Sequence, residues 1–173
     1  LRLDSLRQEE NETEWIEFKH NNRDPQMIGE RISALANAAA LLDKERAWFA
    51  WGIEDRTHRV IGTTFQPHAA PAKVGNEELE SWLSHHLSPC PDFRFHELQF
   101  EGKSIVLLEI PPAQHTPVRW RETAYTRVGS YTKKLNDYPE KERSLWLQLS
   151  QQLFEARIAI RDVSDDEVLS LLE

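Results

Sequence analysis

The chain has 173 residues, 39% of them hydrophobic, which is enough to bury one core and too few to make a second full domain the default. A formal charge of −8 argues against a protein that coats nucleic acid with a uniformly basic surface, because affinity for the phosphate backbone grows with the number of neutralising Lys and Arg. No apolar run approaches the ~20 residues of a membrane-spanning helix, and the N-terminal stretch LRLDSLRQEENE is charged throughout instead of following a signal-peptide pattern.

The single cysteine, Cys90, has no internal partner and no Cys or His at metal-ligand spacing, which fits a reducing compartment. We therefore expect a cytoplasmic protein without membrane contact. Charge is unevenly placed along the chain. Residues 137–173 hold nine acids against four bases, a balance of −5, so the other 136 residues carry only −3. Within them, residues 115–134 hold Arg119, Arg121, Arg127, Lys133 and Lys134 against Glu122 alone, a local +4. The pattern is that of a basic patch on an acidic body.

In chain order, Ser5 followed by Gln8 resembles a capping box and predicts a short leading helix. Residues 15–19 alternate, with Ile16 and Phe18 on one side and Trp15, Glu17 and Lys19 on the other, which is the period of a half-buried strand with Glu17 facing away from the core. Asp24-Pro25 supplies an N-cap and a proline at the first helical position. A helix to about residue 43 follows, its stripe of Ile28, Ile32, Leu35, Ala39 and Leu42 turned to a sheet. The run AWFAWGI, 47–53, reads as a central strand buried on both faces.

Residues 59–65 read as the return strand of a hairpin, and 76–87 as a second helix with Leu79, Trp82, Leu83 and His86 inward, stopped by Pro89 and Pro91. Residues 93–100 and 104–110 form a hairpin about Gly102-Lys103, two more strands cross 117–131, and a long helix spans 139–160. Hairpins combined with one crossover predict an α+β fold, a mixed sheet of about six strands with two to three packed helices. The domain is expected over residues 1–136, with residues 137–163 as a C-terminal helix. The capping box Ser164 to Glu167 is expected to open a following domain.

Three stretches, taken in order, resemble the Schlafen/AlbA-type DNA-binding domain found at the N-terminus of bacterial transcriptional regulators, some of them described as RecG-like. They are Glu12-x-x-x-x-Glu17-Phe18-Lys19; then Ile32-Ser33-Ala34-Leu35-Ala36-Asn37 with Gly52-Ile53-Glu54-Asp55 and Val60-Ile61-Gly62; and finally Glu109-Ile110-Pro111-Pro112, Pro117-Val118 and Tyr125-Thr126-Arg127-Val128-Gly129-Ser130. The resemblance spans about residues 12–134. One departure stands out. Where the family continues with a pair of glycines, Asn37 is followed by AAALLDKERAWFAWG, which predicts a helix running on by a turn or more.

The resemblance implies that Glu12, Glu17 and Asp55 occupy the positions of the three carboxylates with which Schlafen nucleases hold a divalent metal, Mg or Mn, to activate water for phosphodiester cleavage. The residues themselves leave a second reading open. Glu17 can pair with Lys19 or Arg127, Asp55 can cap a turn, and Glu12 can be an ordinary solvated acid among its acidic neighbours.

Lys19, Arg119, Arg121, Arg127, Lys133 and Lys134 are the candidate phosphate contacts, with Ser130 offering a backbone N–H and with Trp120, Tyr125 and Tyr131 interleaved for base stacking. The same pattern also describes strand residues alternating between a core-facing aromatic and a solvated base. His85 and His86, adjacent on a helix, point about 100° apart and cannot share one ion. Nucleophile-elbow and Walker-type loops are absent, so neither ATPase nor helicase chemistry is expected of this segment.

The leading expectation is a nucleic-acid-binding module, for DNA, that needs no cofactor. Its partners would be nucleic acid and a C-terminal domain of the same full-length chain. A metal-dependent endoribonuclease using Glu12, Glu17 and Asp55 with Mg or Mn, and a dimerisation or scaffold domain acting as a homodimer, are the alternatives.

Overall fold

The computed structural model describes residues 14–54 and 57–161, and for 152–161 the backbone alone. Glu12, Asp55, the leading helix at Ser5 and the capping box at Ser164 lie outside the described residues. The described chain is α+β, with three α-helices and two four-stranded sheets.

The first sheet holds β1 (Ile16–Lys19), β2 (Ala47–Trp51), β4 (Arg94–Phe100) and β5 (Lys103–Ile110), in the order β1-β2-β5-β4. Strand β1 runs parallel to β2, as the strand–helix–strand crossover through α1 (Pro25–Leu41) requires, with Glu17 opposite Phe49 and Lys19 opposite Trp51. Helix α1 begins where the sequence signals it, the Asp24 side chain accepting a hydrogen bond from the Gln26 amide. It runs through Ala39 and Ala40, so the alanine-rich segment continues the helix where a tight turn would otherwise stand.

Strand β2 is buried along its whole length, because both faces of this sheet are covered. Phe49 and Trp51 join Leu108 and Ile110 in the core beneath α1, while Trp48 and Ala50 join Ile16, Phe18, Ile105 and Leu107 in a second cluster on the opposite face. The expectation that Glu17 faces away from the core is therefore corrected. The alternation of β1 holds, but Glu17 points to the α1 side, into the interior, and is 1% exposed.

Residues 59–65 form no strand; a lone antiparallel bridge between Ile53 and Val60 marks where the return strand was expected. The second helix, α2 (Leu79–His86), buries Leu79 and Leu83 and leaves Trp82 and His86 half-buried. Helix α3 (Pro139–Arg161) places Leu145 and Leu149 in the core and packs on α1.

The second sheet has the order β3-β6-β7-β8: β3 (Leu87–Ser88), β6 (Arg119–Trp120), β7 (Thr123–Val128) and β8 (Tyr131–Lys134). The two strands expected over 117–131 are β6 and β7, and Gly129-Ser130 is a two-residue hairpin turn, between the paired Val128 and Tyr131, that leads into a third, β8. Three such turns join named strands among the described residues. Gly129-Ser130 uses glycine for left-handed backbone and Glu101-Gly102 a glycine with Glu101 at φ 50° beside it, whereas Arg121-Glu122 places two side-chain-bearing residues there, at φ 43° and 68°. Each such residue costs roughly 1–2 kcal/mol relative to a relaxed conformation.

Two devices of α1 hold the sheets in place. A Cβ built on Gly29 would stand 2.3 Å from the Trp120 ring, so only glycine lets the helix lie this close to β6. One and two turns further, Ser33 and Asn37 enter the second sheet. The register that pairs Arg119 with Ala124 would next pair Val118 with Tyr125, but the α1 side chains take those backbone groups instead. Ser33 Oγ donates to Val118 O (2.7 Å) and accepts from the Tyr125 amide (3.0 Å). Asn37 Nδ2 donates to Val118 O (2.9 Å) and Tyr125 O (2.8 Å), and its Oδ1 accepts from the Val118 amide (2.8 Å).

Asn37→Ala orphans the Val118 amide and the Tyr125 carbonyl in a buried setting, so it is expected to destabilise the domain by about 2–4 kcal/mol, more than Ser33→Ala at about 1–2. Urea unfolding midpoints measure both, and an Asn37→Ala variant as stable as the parent would contradict the role assigned to this splice.

Candidate nucleic-acid interface

A carboxylate buried between two sheets and a helix must lose its charge or find cations. Glu17 finds three. Its Oε1 meets Lys19 Nζ at 2.9 Å, two residues along the same strand face, and Arg31 Nε at 3.2 Å, from α1. Its Oε2 meets Arg127 Nη1, from β7 of the second sheet. Arg127 is fully buried, and its Nη1 also lies 3.3 Å from Thr132 Oγ1 across the β7–β8 pair. Lys19 and Arg31 keep 23% and 19% of their side chains exposed, so the cluster is sealed on the Arg127 side and open to water on the other.

A second ion pair braces the same region. Lys141 Nζ, from α3, contacts both oxygens of Glu14 at 2.8 and 3.0 Å and donates to Arg127 O at 2.7 Å, while Glu14 accepts from the Gly129 amide at 3.1 Å. On the neighbouring turn of α1, Glu30 Oε1 lies 3.5 Å from Tyr125 Oη, and burial, followed by the Glu30 charge, pushes the Tyr125 phenol up.

These contacts sort the candidate residues. Arg127 and Lys19 are committed to Glu17, and Arg127 is out of reach of a phosphate. Both Glu17 oxygens are engaged by cations, so Glu17 does not fit a Mg or Mn ligand: a divalent ion would have to displace a buried guanidinium and meet the remaining positive charges. Glu12 and Asp55, the other carboxylates of that reading, fall outside the described residues, and the described residues alone hold no group of three His, Cys, Asp or Glu suited to a metal.

Arg119, Arg121, Ser130, Lys133 and Lys134 are exposed. Directly opposed residues of an antiparallel pair share a face, so Arg119 (opposite Ala124), Lys133 (opposite Thr126) and Tyr131 (opposite Val128) project together, with Lys133 Nζ 5.8 Å from the Tyr131 ring centroid. Lys134, opposite Tyr125, leaves from the other face at the sheet edge, and Arg121 sits in the β6–β7 turn. None of Arg119, Arg121, Lys133 and Lys134 forms an ion pair with another described residue, whereas Arg46, Lys73, Arg94 and Lys141 are each held by a carboxylate.

A cleft of about 530 Å³ between Arg46, Arg94, Glu109, His115 and a run of prolines contains none of the candidate residues. Its arginines are neutralised, Arg46 by Glu109 at 2.8 Å and Arg94 by Asp92 at 2.7 Å. Burial pushes the Glu109 carboxyl up, but hydrogen bonds from Arg46 and His96 outweigh it and hold the group below the usual carboxylate range.

Sequence reasoning missed Arg31, which flanks the apolar stripe of α1. It also missed the role of Ser33 and Asn37, although two polar residues four apart inside an alanine-rich buried helix are a usable signal. Substoichiometric Mn²⁺ is expected to leave the Glu17 amide resonance as sharp as its neighbours in an NMR titration; broadening centred on Glu17 would overturn the ion-cluster assignment.

Residues 12–136 match the model of the family described as Schlafen, AlbA_2. No curated protein matches the sequence. Among solved structures, the N-terminal domain of an ATP-dependent DNA helicase RecG-related protein from Nitrosomonas europaea is similar at 23% identity and a TM-score of 0.51, over 76% of this chain and 88% of that one. The DIP2311 protein from Corynebacterium diphtheriae is similar at 16% identity and a TM-score of 0.45, over 70% of this chain; the match spans only 22% of the DIP2311 chain. The likeness to the Nitrosomonas europaea domain concerns the fold alone. With the family model covering most of its length, the chain belongs to the Schlafen AlbA_2 family.

Proposed function

We propose that this domain is a nucleic-acid-binding module that contacts phosphates through Arg119, Arg121, Lys133 and Lys134 on the second sheet. The observation that carries the reading is the division of the basic residues of this stretch. Arg127 is consumed inside the fold by Glu17, while the other four stand exposed and without carboxylate partners among the described residues. On a chain of charge −8, such a local excess of cations is where a polyanion would be steered.

The finer form of the proposal is DNA recognition within a transcriptional regulator, to which other parts of a longer chain would contribute the output. The same division disfavours the nuclease alternative, since the carboxylate at its centre is neutralised by cations. The scaffold alternative has less to support it: the exposed large apolar residues Leu42, Ile61, Leu98 and Tyr131 sit apart along the chain, and Trp146 and Leu147 are the one adjacent pair among them, on α3.

Four phosphate contacts predict a log–log salt slope of about −3 to −4, so that affinity falls by about two decades between about 50 and 200 mM salt. The double variant Arg119→Ala/Lys133→Ala should roughly halve that slope. Fluorescence anisotropy with a labelled oligonucleotide at several salt concentrations reads both effects. Affinity indifferent to salt, or a slope unchanged in the double variant, would count against this surface.

A further inference from the structure

The turn between β6 and β7 puts two residues with side chains in a backbone conformation that favours glycine, where the Glu101-Gly102 turn puts one beside its glycine and the Gly129-Ser130 turn none. Strain of this kind persists where the surroundings hold it, and it is a reason to ask what it positions. Here it positions Arg121. The Arg121 amide donates to His86 O at the C-terminal end of α2, at 3.0 Å, which ties the turn to that helix. Its guanidinium carbon then lies 5.3 Å from the Trp82 ring centroid and 5.5 Å from that of Trp120.

The two indoles are themselves in contact, with centroids 5.3 Å apart, and His86 completes the cluster at 4.6 Å from Trp82 and 5.5 Å from Trp120. The rings are tilted against one another, by 59° between the indoles and by 42° between His86 and each of them. Trp120 is buried, Trp82 and His86 are half-buried, and Arg121 is exposed, so the cluster rises from the core to the surface and ends in a charged planar group. The His86 Nδ1 atom, 2.8 Å from Trp82 O, fixes the imidazole against the same helix.

We propose that the Arg121 guanidinium, held over Trp82 and Trp120, is a subsite for an unpaired nucleobase, and that the nucleic acid bound by this domain is engaged as a single strand. This rests on the reading of the domain as a nucleic-acid module. A base has a flat π-face that a guanidinium plane backed by indole accepts as the next layer, whatever the base. A duplex keeps its bases stacked on one another and offers this site only phosphates. Arg119, two residues before Arg121 and on the face shared with Lys133, takes the phosphate flanking the stacked base. A lone surface arginine serving only as a counter-charge would not need indole backing or a strained turn.

The test uses the chain as it stands, with three probes of equal length: an oligothymidine, an abasic strand carrying the same phosphates, and a duplex. Oligothymidine is expected to bind about tenfold more tightly than the abasic strand and to quench tryptophan emission. Trp82→Phe is expected to remove most of the quench. Arg121→Lys, which keeps the charge and loses the plane, is expected to shrink the thymidine-to-abasic affinity ratio to about twofold or less. Equal affinities for thymidine and abasic strands, a preference for the duplex, or an Arg121→Lys variant that retains the full ratio would overturn the stacking subsite while leaving the phosphate surface intact. Failure of all three probes to bind would instead overturn the nucleic-acid reading, and the subsite with it. Arg121 is exposed, and an unchanged urea midpoint in Arg121→Lys keeps the comparison free of folding effects.

Discussion

The position of Glu17 governs much of what surrounds it. A carboxylate 1% exposed on the α1 side of a parallel strand is tolerable only when its charge is met, and here the charges come from three different elements: Lys19 on its own strand, Arg31 on the crossover helix and Arg127 on the second sheet. The requirement for neutralisation thereby becomes a requirement on tertiary structure, since β7 must present Arg127 at one place in the interior. Such a cluster adds little over a well-packed apolar alternative, but removing one member leaves an uncompensated buried charge and costs several kcal/mol, roughly 3–5. Its contribution is to specify how the two sheets sit against α1. The hydrogen bonds of Ser33 and Asn37 to Val118 and Tyr125 specify the same relation from the next two turns of the helix.

This arrangement separates two populations of basic residues that are indistinguishable by charge alone. One population is structural and inward, and the carboxylate that could have served a metal is consumed with it. The other, on β6, its turn and β8, is outward and without carboxylate partners among the described residues, next to an aromatic cluster. A polyanion would meet the second population only. The motif Tyr125-Thr126-Arg127-Val128-Gly129-Ser130 is then chiefly a structural signature: Tyr125 offers its backbone to Ser33 and Asn37, Arg127 neutralises Glu17, and Gly129 makes the turn and binds Glu14 through its amide.

Much of this was legible in the sequence where local chemistry and burial agree. The Asp24-Pro25 cap fixes the start of α1, the continuous apolar run of β2 signals burial on both faces, and the turn expected about Gly102-Lys103 falls one residue earlier, at Glu101-Gly102. The pairing of Glu17 with Lys19 or Arg127 was one of the two readings the residues allowed. What failed did so for identifiable reasons. Alternation in β1 separates two faces but does not say that both are buried, so Glu17 was assigned to solvent. Residues 59–65 have strand-like composition, yet Ile61 and Gly62 donate their backbone amides to Gly52 O and Thr63 its amide to Ser104 O, which leaves a bridge and no ladder. Arg31 and Trp82 act through partners 14 and about forty residues distant along the chain, and no local pattern reports such contacts.

The claim at the centre of the account is that Glu17 and Arg127 act as one unit joining the sheets, and a double-mutant cycle measures it directly. Glu17→Gln, Arg127→Met and the double variant would be unfolded in urea beside the parent chain. Each single change is expected to cost about 3–5 kcal/mol, with the double variant costing less than the sum by at least about 2 kcal/mol. Losses that add to within about 0.5 kcal/mol would contradict it, for they would mean that the two side chains stabilise the fold independently and that Glu17 is free to serve another ligand.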